Sequence, residues 1–326
     1  MQQLDDQTSD SVPAVSVVIP TRNRPELVAR AVRSVLDQTF TDLEVVVIID
    51  GPDEATKASL NAITDSRLRI CMYPTSSGGA QARNLGVQNA RADWIAFLDD
   101  DDQWLPQKLA IQMKFVAGRS DESLCVACRF LEQSESGERA LPLRIPEPDE
   151  PLSEYIYSPR GLSTGEGFVQ TSTLLVRRSL MVKVPFLPVL ACGQETTWLL
   201  RSSRDYNLNL VIVPDVLVVF NDFQSRTRIS IAPKWRTLYN WARENRGYYT
   251  PRAYSFFVAT ACIQYATSSK EPLSTYFDLF RECLKGSPTP KCIFLFFYRW
   301  WMPPSTRRKV GSFVRNMRMT LRGQRA

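Results

Sequence analysis

The 326-residue sequence contains no histidine. Without an imidazole group, the chain cannot use a Ser-His-Asp or Cys-His nucleophile, a histidine-ligated zinc ion or a histidine general base. If the chain is an enzyme, we expect carboxylates to carry the proton transfers. The first half also lacks the motifs GxGxxG and GxxxxGKS/T, so neither a dinucleotide-binding turn nor a P-loop holds a phosphate there.

The first residues lack the basic and apolar regions of a signal peptide, so we expect the chain to stay on the cytosolic side. Its seven cysteines are scattered and odd in number, which is typical of a reducing compartment. Cys125 and Cys128 have CxxC spacing, but they lie in an apolar run without a second pair. That setting favours buried structural thiols over redox or metal chemistry.

The positive charge is concentrated at one end of the chain. The formal net charge is +6, yet all 34 acidic residues lie at or before Glu282. Residues 283–326 carry ten basic groups and no acid, whereas residues 1–282 carry a small net negative charge. The basic excess therefore belongs to a tail and does not indicate a nucleic-acid groove in the body of the protein.

The first hundred residues alternate apolar strand patterns with helical patterns. Strands are predicted at residues 15–19, 45–49, 68–72 and 94–98. Helices are predicted from Pro25, where apolar pairs recur every four residues, from Pro52 to Ile63, and over residues 80–90. This alternation predicts an α/β protein with a doubly wound, mostly parallel sheet whose ligands bind at the carboxyl ends of the strands.

The pattern changes after this half. Residues 132–167 are polar and rich in proline, which predicts a long loop. A strand is predicted over residues 168–177, a helix around 195–204 and a strand at 210–213. From residue 233 onward the pattern is helical and aromatic.

An acidic run follows the fourth predicted strand, at Asp99–Asp102. Repulsion among carboxylates held at a buried strand end is relieved most simply by Mg²⁺ or Mn²⁺, although a solvated acidic turn is the alternative. Asp50 follows the second strand and is expected at the same crevice, unless it caps the helix that begins at Pro52. A glycine-rich turn at residues 78–79 leads into a helix that carries Arg83, and the N-terminus of that helix could face a phosphate.

These segments carry a family resemblance. VSVVIPTRNRPELVARAVRSVLDQTF, then Asp50, then GGAQARNLGVQNARADWIAFLDDDDQWLPQKL resemble the nucleotide-sugar half of inverting family 2 glycosyltransferases with the GT-A fold. The resemblance continues more weakly over residues 168–204. It implies a Rossmann-like sheet with a helical C-terminal extension. The implied activity is metal-dependent transfer of a hexose from a UDP- or dTDP-sugar to a hydroxyl of a glycan or lipid-linked oligosaccharide, in cell-surface polysaccharide biosynthesis.

The resemblance also implies a division of the chain. We expect a disordered tail at 1–12, a nucleotide-sugar-binding half at 13–115, an acceptor-binding and catalytic half at 116–232, and a helical, basic extension at 233–326. A nucleotidyltransferase, a non-catalytic nucleotide-sugar-binding protein and a membrane adaptor are the alternatives.

The implied donor site can be written residue by residue. Asp50 would accept a hydrogen bond from the base, Arg83 would contact the phosphates or brace the acidic run, and Asp99 or Asp100 would reach the ribose. Asp101 would be the direct metal ligand, with Asp99 as its partner in the D-x-D pair. The nucleotide-sugar site as a whole would comprise Pro20, Thr21, Arg24, Asp50, Arg83, Asp99 and Asp100.

The resemblance makes Glu195 the catalytic base. Relatives place a Glu-Asp pair before a Trp-Leu-x-Arg helix, where this chain has QETTWLLR at residues 194–201. Gln194 thus replaces the usual Glu, and Glu195 replaces the usual Asp. A position at the start of a helix would favour the ionised form of Glu195, although a first-turn glutamate without catalytic function is the alternative. Trp198 is expected in the core.

A second departure follows the base. Relatives carry a histidine-containing loop where this chain has residues 220–230. Asp222 or Asn221 is expected to take over the binding of pyrophosphate or metal, so the metal set is Asp101, Asp99 and Asp222, for Mn²⁺ or Mg²⁺. Arg226 or Arg228 could meet a phosphate.

The aromatic run at residues 293–302 is too short to cross a bilayer, which needs about 20 apolar residues. With the basic residues that follow, it predicts peripheral attachment to an anionic membrane on the cytosolic face. A helical unit that packs on the core with a solvated basic face is the alternative. No nucleic-acid partner is expected.

Overall fold

The computed structural model describes residues 12–134, 137–161, 166–222 and 235–302, together with Thr306. Strands and helices alternate in the first half, as the sequence predicts. The elements are β1 (Val15–Thr21), α1 (Pro25–Leu36), β2 (Leu43–Ile49), α2 (Glu54–Asn61), β3 (Leu68–Met72), α3 (Gly79–Asn89), β4 (Trp94–Phe97), β5 (Gln103–Trp104) and α4 (Lys108–Val116). The four strands and three helices predicted for residues 15–98 are confirmed to within a few residues.

The first four strands lie in the order β3-β2-β1-β4, and their pairings are all parallel. Every residue of β1 and β2 is buried, because helices cover both faces of the sheet. Val17 packs in the same core as α1, whereas its neighbour Val18 packs on the other face with α3. This two-sided burial is why the strands are continuously apolar.

The second half extends the same sheet. Its elements are β6 (Leu124–Ser134), β7 (Gly137–Leu141), α5 (Leu152–Tyr157), β8 (Leu175–Arg177), α6 (Arg178–Lys183), α7 (Gln194–Tyr206) and β9 (Asn209–Asp222). Strand β8 joins the halves, since it pairs antiparallel with β4 on one side and with β6 on the other. Strands β6 and β9 pair in parallel over the full length of β6, and the antiparallel pairings span two to five residue pairs. The predicted α/β architecture with a mostly parallel sheet is confirmed.

The long loop predicted over residues 132–167 is wrong in part. Strand β6 continues to Ser134, β7 pairs with it, and α5 occupies residues 152–157. Gly137 and Glu138 of β7 are exposed, Arg139 and Ala140 are half-buried, and Leu141 is buried. A strand with a single buried residue has no apolar alternation that would distinguish its composition from that of a loop.

Two strand predictions need correction in length. Within 168–177, Thr171–Thr173 form a 3-10 turn and only Leu175–Arg177 is strand, because the Gln170 side chain accepts a hydrogen bond from the Ser172 N–H at 2.6 Å. The strand predicted at 210–213 extends to residue 222. The β6–β9 register shifts between Val213 and Val216, and such an irregularity accommodates Pro214, which has no N–H.

The C-terminal part is helical, as predicted. It comprises α8 (Trp235–Glu244), α9 (Pro251–Phe257), a π-helical turn (Val258–Cys262), α10 (Ile263–Ser268), α11 (Leu273–Leu284) and α12 (Pro290–Trp301). These helices share an aromatic core with Leu190, Cys192 and Leu200, which flank or belong to α7. In the part of the chain that the structure describes, no helix has the length and apolar character needed to cross a bilayer.

Several predictions concern residues that the structure does not describe. Residues 1–11 of the expected tail, the loop with Arg226 and Arg228, and the basic residues from 307 onward lie outside the described residues. The domain boundaries predicted after residues 12, 115 and 232 stay predictions. Cys125 and Cys128 are described, and both are buried, as expected of structural thiols. Burial raises the pKa of each thiol to about 12.

Candidate active site

Neighbouring strand ends bring the first candidate residues together. Strand β1 lies between β2 and β4, and it ends at Thr21. The Thr21 carbonyl accepts a hydrogen bond from the Asp50 N–H at 2.9 Å, and its hydroxyl donates to the Asp100 carboxylate at 2.8 Å. Asp50 and the acidic run therefore flank Thr21 at one edge of the sheet. Pro20 is buried within β1.

Asp50 orders the turn that precedes α3. Its carboxylate accepts hydrogen bonds from the hydroxyls of Ser76 and Ser77, at 2.7 and 3.1 Å, and from the N–H groups of Ser77 and Gly78, at 2.7 and 2.9 Å. Burial would raise the pKa of Asp50, but these hydrogen bonds hold it below its usual value. The alternative that Asp50 caps the next helix is wrong, since Asp53 is the N-cap of α2.

The acidic run divides into a buried pair and a partly exposed pair. Asp100 and Asp102 are buried, whereas the side chains of Asp99 and Asp101 keep about a quarter of their surface exposed, 25% and 26%. Burial raises the pKa of Asp100 to about 6. A solvated acidic turn is therefore not what this run forms.

Asp102 ties the run to the second half of the chain. Its carboxylate accepts hydrogen bonds from Gln170 Nε2 at 2.8 Å, from the Ser172 hydroxyl at 2.7 Å and from the Asn221 N–H at 3.3 Å. Burial, and then the charges of Asp99 and Asp101, raise its pKa well above the usual value. Sequence reasoning missed this residue. The polar segment QTST at 170–173, within an otherwise apolar stretch, is the signal that could have revealed it.

Two arginines of the α1 region contact Asp101. Arg24 Nη1 lies 2.8 Å from Asp100 Oδ1 and 3.2 Å from Asp101 Oδ2. Arg30 Nη2 donates to the Asp101 carbonyl at 2.8 Å, and Asn221 Nδ2 donates to the same carbonyl at 2.7 Å. The backbone at Asp101 is thus fixed from both sides of the site. Asn221, one of the two residues expected to bind pyrophosphate or metal, holds the acidic run instead.

Arg83 connects the acidic run to the start of α7. Its guanidinium forms a short ion pair with Asp99, and its Nη1 donates to Gln194 Oε1 at 2.8 Å. Its side chain is only 12% exposed. Of the two roles considered for Arg83, the structure contains the bracing contact.

The side-chain amide of Gln194 makes two hydrogen bonds, one with Arg83 and one with the Leu190 carbonyl. While its oxygen accepts from Arg83, its Nε2 donates to the Leu190 carbonyl at 2.8 Å. An ionised glutamate at this position could accept from Arg83 but could not donate to Leu190. This geometry gives a physical reason for Gln in place of the Glu that is usual in the family that the chain resembles.

Glu195 lies in the first turn of α7, as predicted. Burial raises the pKa of its carboxyl, the charge of Asp99 acts in the same direction, and its own N–H and Arg83 oppose the change. The expectation that the helix start would favour the ionised form is therefore wrong in direction, because loss of solvation outweighs the favourable helix terminus. Trp198 is fully buried, as expected of a core residue.

The turn before Glu195 packs closely against the C-terminal helices. Gly193 is the N-cap of α7 and has a φ of +66°. A Cβ atom at this position would lie 2.9 Å from Leu238 Cδ2 of α8. Both the backbone conformation and the close approach require glycine here. The position of Glu195 thus depends on the helical extension as well as on the sheet.

The metal prediction is only partly covered by the described residues. Asp99 and Asp101 offer partly exposed carboxylate oxygens, the ligand type that Mg²⁺ and Mn²⁺ prefer. Asp222 is the last residue of β9, but its side chain lies outside the description. Among the described side chains, no group of three or more acidic or cysteine residues is arranged to hold a metal ion. Asp99 and Asp101 therefore fit a metal ion by chemical type and would need oxygen ligands from elsewhere.

Comparison with known proteins gives consistent matches. The family model described as "Glycosyl transferase family 2" matches residues 16–184. TuaG of Bacillus subtilis, named as a teichuronic acid biosynthesis glycosyltransferase, is 28% identical over 193 residues, which cover 57% of this chain and 71% of TuaG. AmsB of Erwinia amylovora, an amylovoran biosynthesis glycosyltransferase, is 26% identical over 179 residues, with coverages of 52% and 58%.

A third relative and a solved structure extend the comparison. WfgD of Escherichia coli, named as a UDP-Glc:alpha-D-GlcNAc-diphosphoundecaprenol beta-1,3-glucosyltransferase, is 32% identical over 102 residues, which cover 31% of this chain and 40% of WfgD. The crystal structure of S. aureus TarS 1-349 with UDP-GlcNAc aligns with a TM-score of 0.51 at 17% identity, covering 67% of this chain and 61% of that one. The chain thus spans less than two thirds of AmsB, WfgD and the TarS structure.

Proposed function

The chain belongs to glycosyl transferase family 2 and has the GT-A fold, and on that premise we propose that it transfers a sugar from a nucleoside diphosphate sugar to an acceptor hydroxyl with inversion. The Arg83 bridge carries this proposal. One guanidinium contacts Asp99 of the acidic run and Gln194, the residue beside Glu195. Donor-side carboxylates and a single candidate base are thereby joined in one rigid network.

The reaction follows from that arrangement. The Glu195 carboxylate takes the proton of the acceptor hydroxyl, and the acceptor oxygen attacks the anomeric carbon from the face opposite the diphosphate. The bond from that carbon to the diphosphate oxygen breaks, and the nucleoside diphosphate leaves. As in glycoside cleavage, positive charge develops on the sugar ring in the transition state. Glu195 requires no histidine partner for this step, which agrees with the composition.

Relatives support the substrate classes. WfgD is named for a UDP-Glc donor and a lipid diphosphate acceptor, and TuaG and AmsB are named for the biosynthesis of polysaccharides. We propose a UDP- or dTDP-sugar as the donor, and a glycan or lipid-linked oligosaccharide of cell-surface polysaccharide biosynthesis as the acceptor. Pro20, Thr21 and Asp50 lie at the strand ends where the nucleoside would bind.

A divalent cation is part of the proposal. Asp101 and Asp99 would hold Mn²⁺ or Mg²⁺ through their partly exposed carboxylates, with Asp222 as the third protein ligand. Such an ion, when bound, neutralises charge on the diphosphate leaving group. Arg24 lies beside Asp101 and keeps a positive charge at the same edge of the sheet.

The proposed function can be tested with the full chain and a panel of nucleoside diphosphate sugars. With Mn²⁺ and an acceptor, we expect the release of a nucleoside diphosphate; release of pyrophosphate would instead indicate a nucleotidyltransferase. Asp101→Asn is expected to weaken Mn²⁺-dependent UDP binding by about tenfold or more in calorimetry, since a charged metal ligand becomes neutral. Asp65→Asn, at the opposite end of the sheet, is the control. Normal UDP–Mn²⁺ affinity in Asp101→Asn would refute the metal assignment.

The pH dependence of turnover tests the state of Glu195. A base acts when deprotonated, so activity is lost as the pH falls through its pKa. Because burial raises that pKa, we expect the acidic limb of kcat above the range of an ordinary glutamate, whose pKa is about 4.3. A pH profile at saturating donor measures the limb. A limb at or below the ordinary value would contradict the assignment.

We propose in addition that the protein works at the cytosolic face of an anionic membrane. The ten basic residues after Glu282 support this location, and a lipid-linked acceptor would be presented there. Most of these basic residues lie beyond the described part of the chain.

A further inference from the structure

Helix α12 exposes an aromatic stripe. Phe294 and Trp301 are 57% and 77% exposed, and Tyr298 lies between them on the same side of the helix, four residues after Phe294 and three before Trp301. The rings of Phe294 and Tyr298 stack with centroids 5.9 Å apart. Cys292, Leu295 and Phe296 are the buried residues of α12 and lie on its opposite side. The exposed rings are therefore not needed for packing this helix against the rest of the protein.

Helix α11 exposes a matching stripe. Leu273, Phe277 and Leu284 recur at helical spacing on one side, and their exposed fractions are 67%, 57% and 48%. Arg281 lies between Phe277 and Leu284 at the same helical spacing, so the stripe includes one basic residue. Arg281 pairs with Asp278 at 3.8 Å, and Lys285 pairs with Glu282 at 2.7 Å.

The two stripes meet along the contact between the helices. Trp300 of α12 stacks on Tyr276 with ring centroids 5.0 Å apart, and it makes an edge contact with Phe277 at 5.7 Å. The rings of Phe280 and Phe297 belong to the same helix contact, with centroids 5.3 Å apart. Phe277 contacts Trp300, Trp300 contacts Phe297, and Phe297 contacts Trp301, so ring contacts connect the two stripes. We call the two stripes together the α11–α12 apolar face. It consists of Leu273, Phe277, Leu284, Phe294, Tyr298 and Trp301.

We propose that the α11–α12 apolar face docks on the surface of an anionic lipid bilayer. An exposed apolar surface of this kind marks an interaction site on a protein. Tryptophan and tyrosine suit the boundary between lipid headgroups and acyl chains, because one end of each ring system is polar. The face inserts shallowly, since the described helices are too short to cross a bilayer.

The positive charge of the C-terminal sequence favours an anionic membrane over a second copy of the chain as the partner of this face. The sequence from residue 283 onward carries ten basic groups and no acid. Two copies joined through this face would bring Lys285, Lys291 and Arg299 of each copy near those of the other, and their repulsion opposes a dimer. An anionic leaflet attracts the same charge. The inference deepens the proposed membrane location by assigning it a surface on the fold.

Vesicle sedimentation of the full chain tests the docking surface. We expect the protein to sediment with phosphatidylcholine vesicles that contain phosphatidylglycerol, and far less with phosphatidylcholine alone. The double variant Phe294→Ser, Trp301→Ser is expected to lower binding to the anionic vesicles by about tenfold or more, since it removes two large apolar groups from the contact. Val189→Ser removes an exposed apolar group on another part of the surface and is the matched control.

Other results would overturn the inference. Equal sedimentation of the double variant and the wild type would exclude this face as the docking surface. If the protein sedimented equally with and without phosphatidylglycerol, attraction between its basic residues and anionic lipid would be excluded as a contribution to binding. A dimer in light scattering that the double variant abolishes would identify a second copy as the occupant. UDP binding measured on the same double variant is expected to be unchanged, so failure of the docking surface and failure of the proposed transferase activity can be distinguished.

Discussion

Replacement of Glu195 by glutamine is expected to lower the turnover number for sugar transfer by about 100-fold to 10,000-fold, the range for loss of a general base. Glutamine preserves the size of the side chain but cannot take the acceptor proton. Because the proposed donor site lies elsewhere, at the strand ends and the acidic run, we expect donor affinity to change by no more than a few-fold. Product formation with excess acceptor measures turnover, and calorimetry with UDP measures donor affinity.

A matched control comes from the same protein. Glu54 lies in the first turn of α2, as Glu195 lies in the first turn of α7, and its side chain is 77% exposed. Glu54→Gln should leave turnover unchanged, which controls for loss of a first-turn charge. If Glu195→Gln and Glu54→Gln had equal activity, Glu195 would be an ordinary first-turn residue and another group would have to act as the base.

Replacement of Arg83 by methionine is expected to lower kcat/KM by about 100-fold, the scale of a small displacement within an active site. The change leaves Asp99 without its ion-pair partner and Gln194 without its donor. It should also destabilise the fold by about 3 kcal/mol, because it breaks a largely buried ion pair. Separate measurement of kcat and KM, together with thermal unfolding, tests both parts.

Arg83→Lys separates charge from geometry. Lysine keeps the positive charge but offers a single ammonium, which cannot reproduce two fixed contacts. The Arg83 charge lowers the pKa of Glu195, so Arg83→Met should move the acidic limb of kcat to higher pH, whereas Arg83→Lys should move it less. Arg67→Met removes an arginine paired with Asp65 away from the site and is the control. An unmoved limb in Arg83→Met would limit Arg83 to a structural role.

The predictable parts of the fold are those where burial determines composition. The strands β1 and β2 are apolar throughout because both faces are covered, and their positions follow directly from the β-branched runs. Strand β7 and the extension of β9 could not be found in that way. Only one residue of β7 is buried, and β9 continues past Pro214 at a point where its register with β6 shifts.

The candidate site likewise has parts that the sequence predicts and parts that it does not. The sequence pattern and the family resemblance placed Thr21, Asp50 and Asp100 at neighbouring strand ends, since parallel strands share an edge. The burial of Asp102 does not follow from the acidic run alone, because its partners lie in distant segments, of which only the polar segment at 170–173 stands out in the sequence. The direction of the Glu195 pKa shift was also missed, because burial at the start of a helix depends on packing that the local sequence does not contain.

Asp102 connects the acidic run to parts of the chain that are synthesised later. Its partners Gln170, Ser172 and Asn221 lie 68, 70 and 119 positions later in the chain. A nascent chain that ends soon after β5 contains Arg24, Arg30 and Arg83, which contact the acidic run, but it lacks all three partners of Asp102. The first half alone therefore cannot complete the buried position of Asp102, and we expect the acidic run to reach its final arrangement only after the second half has folded.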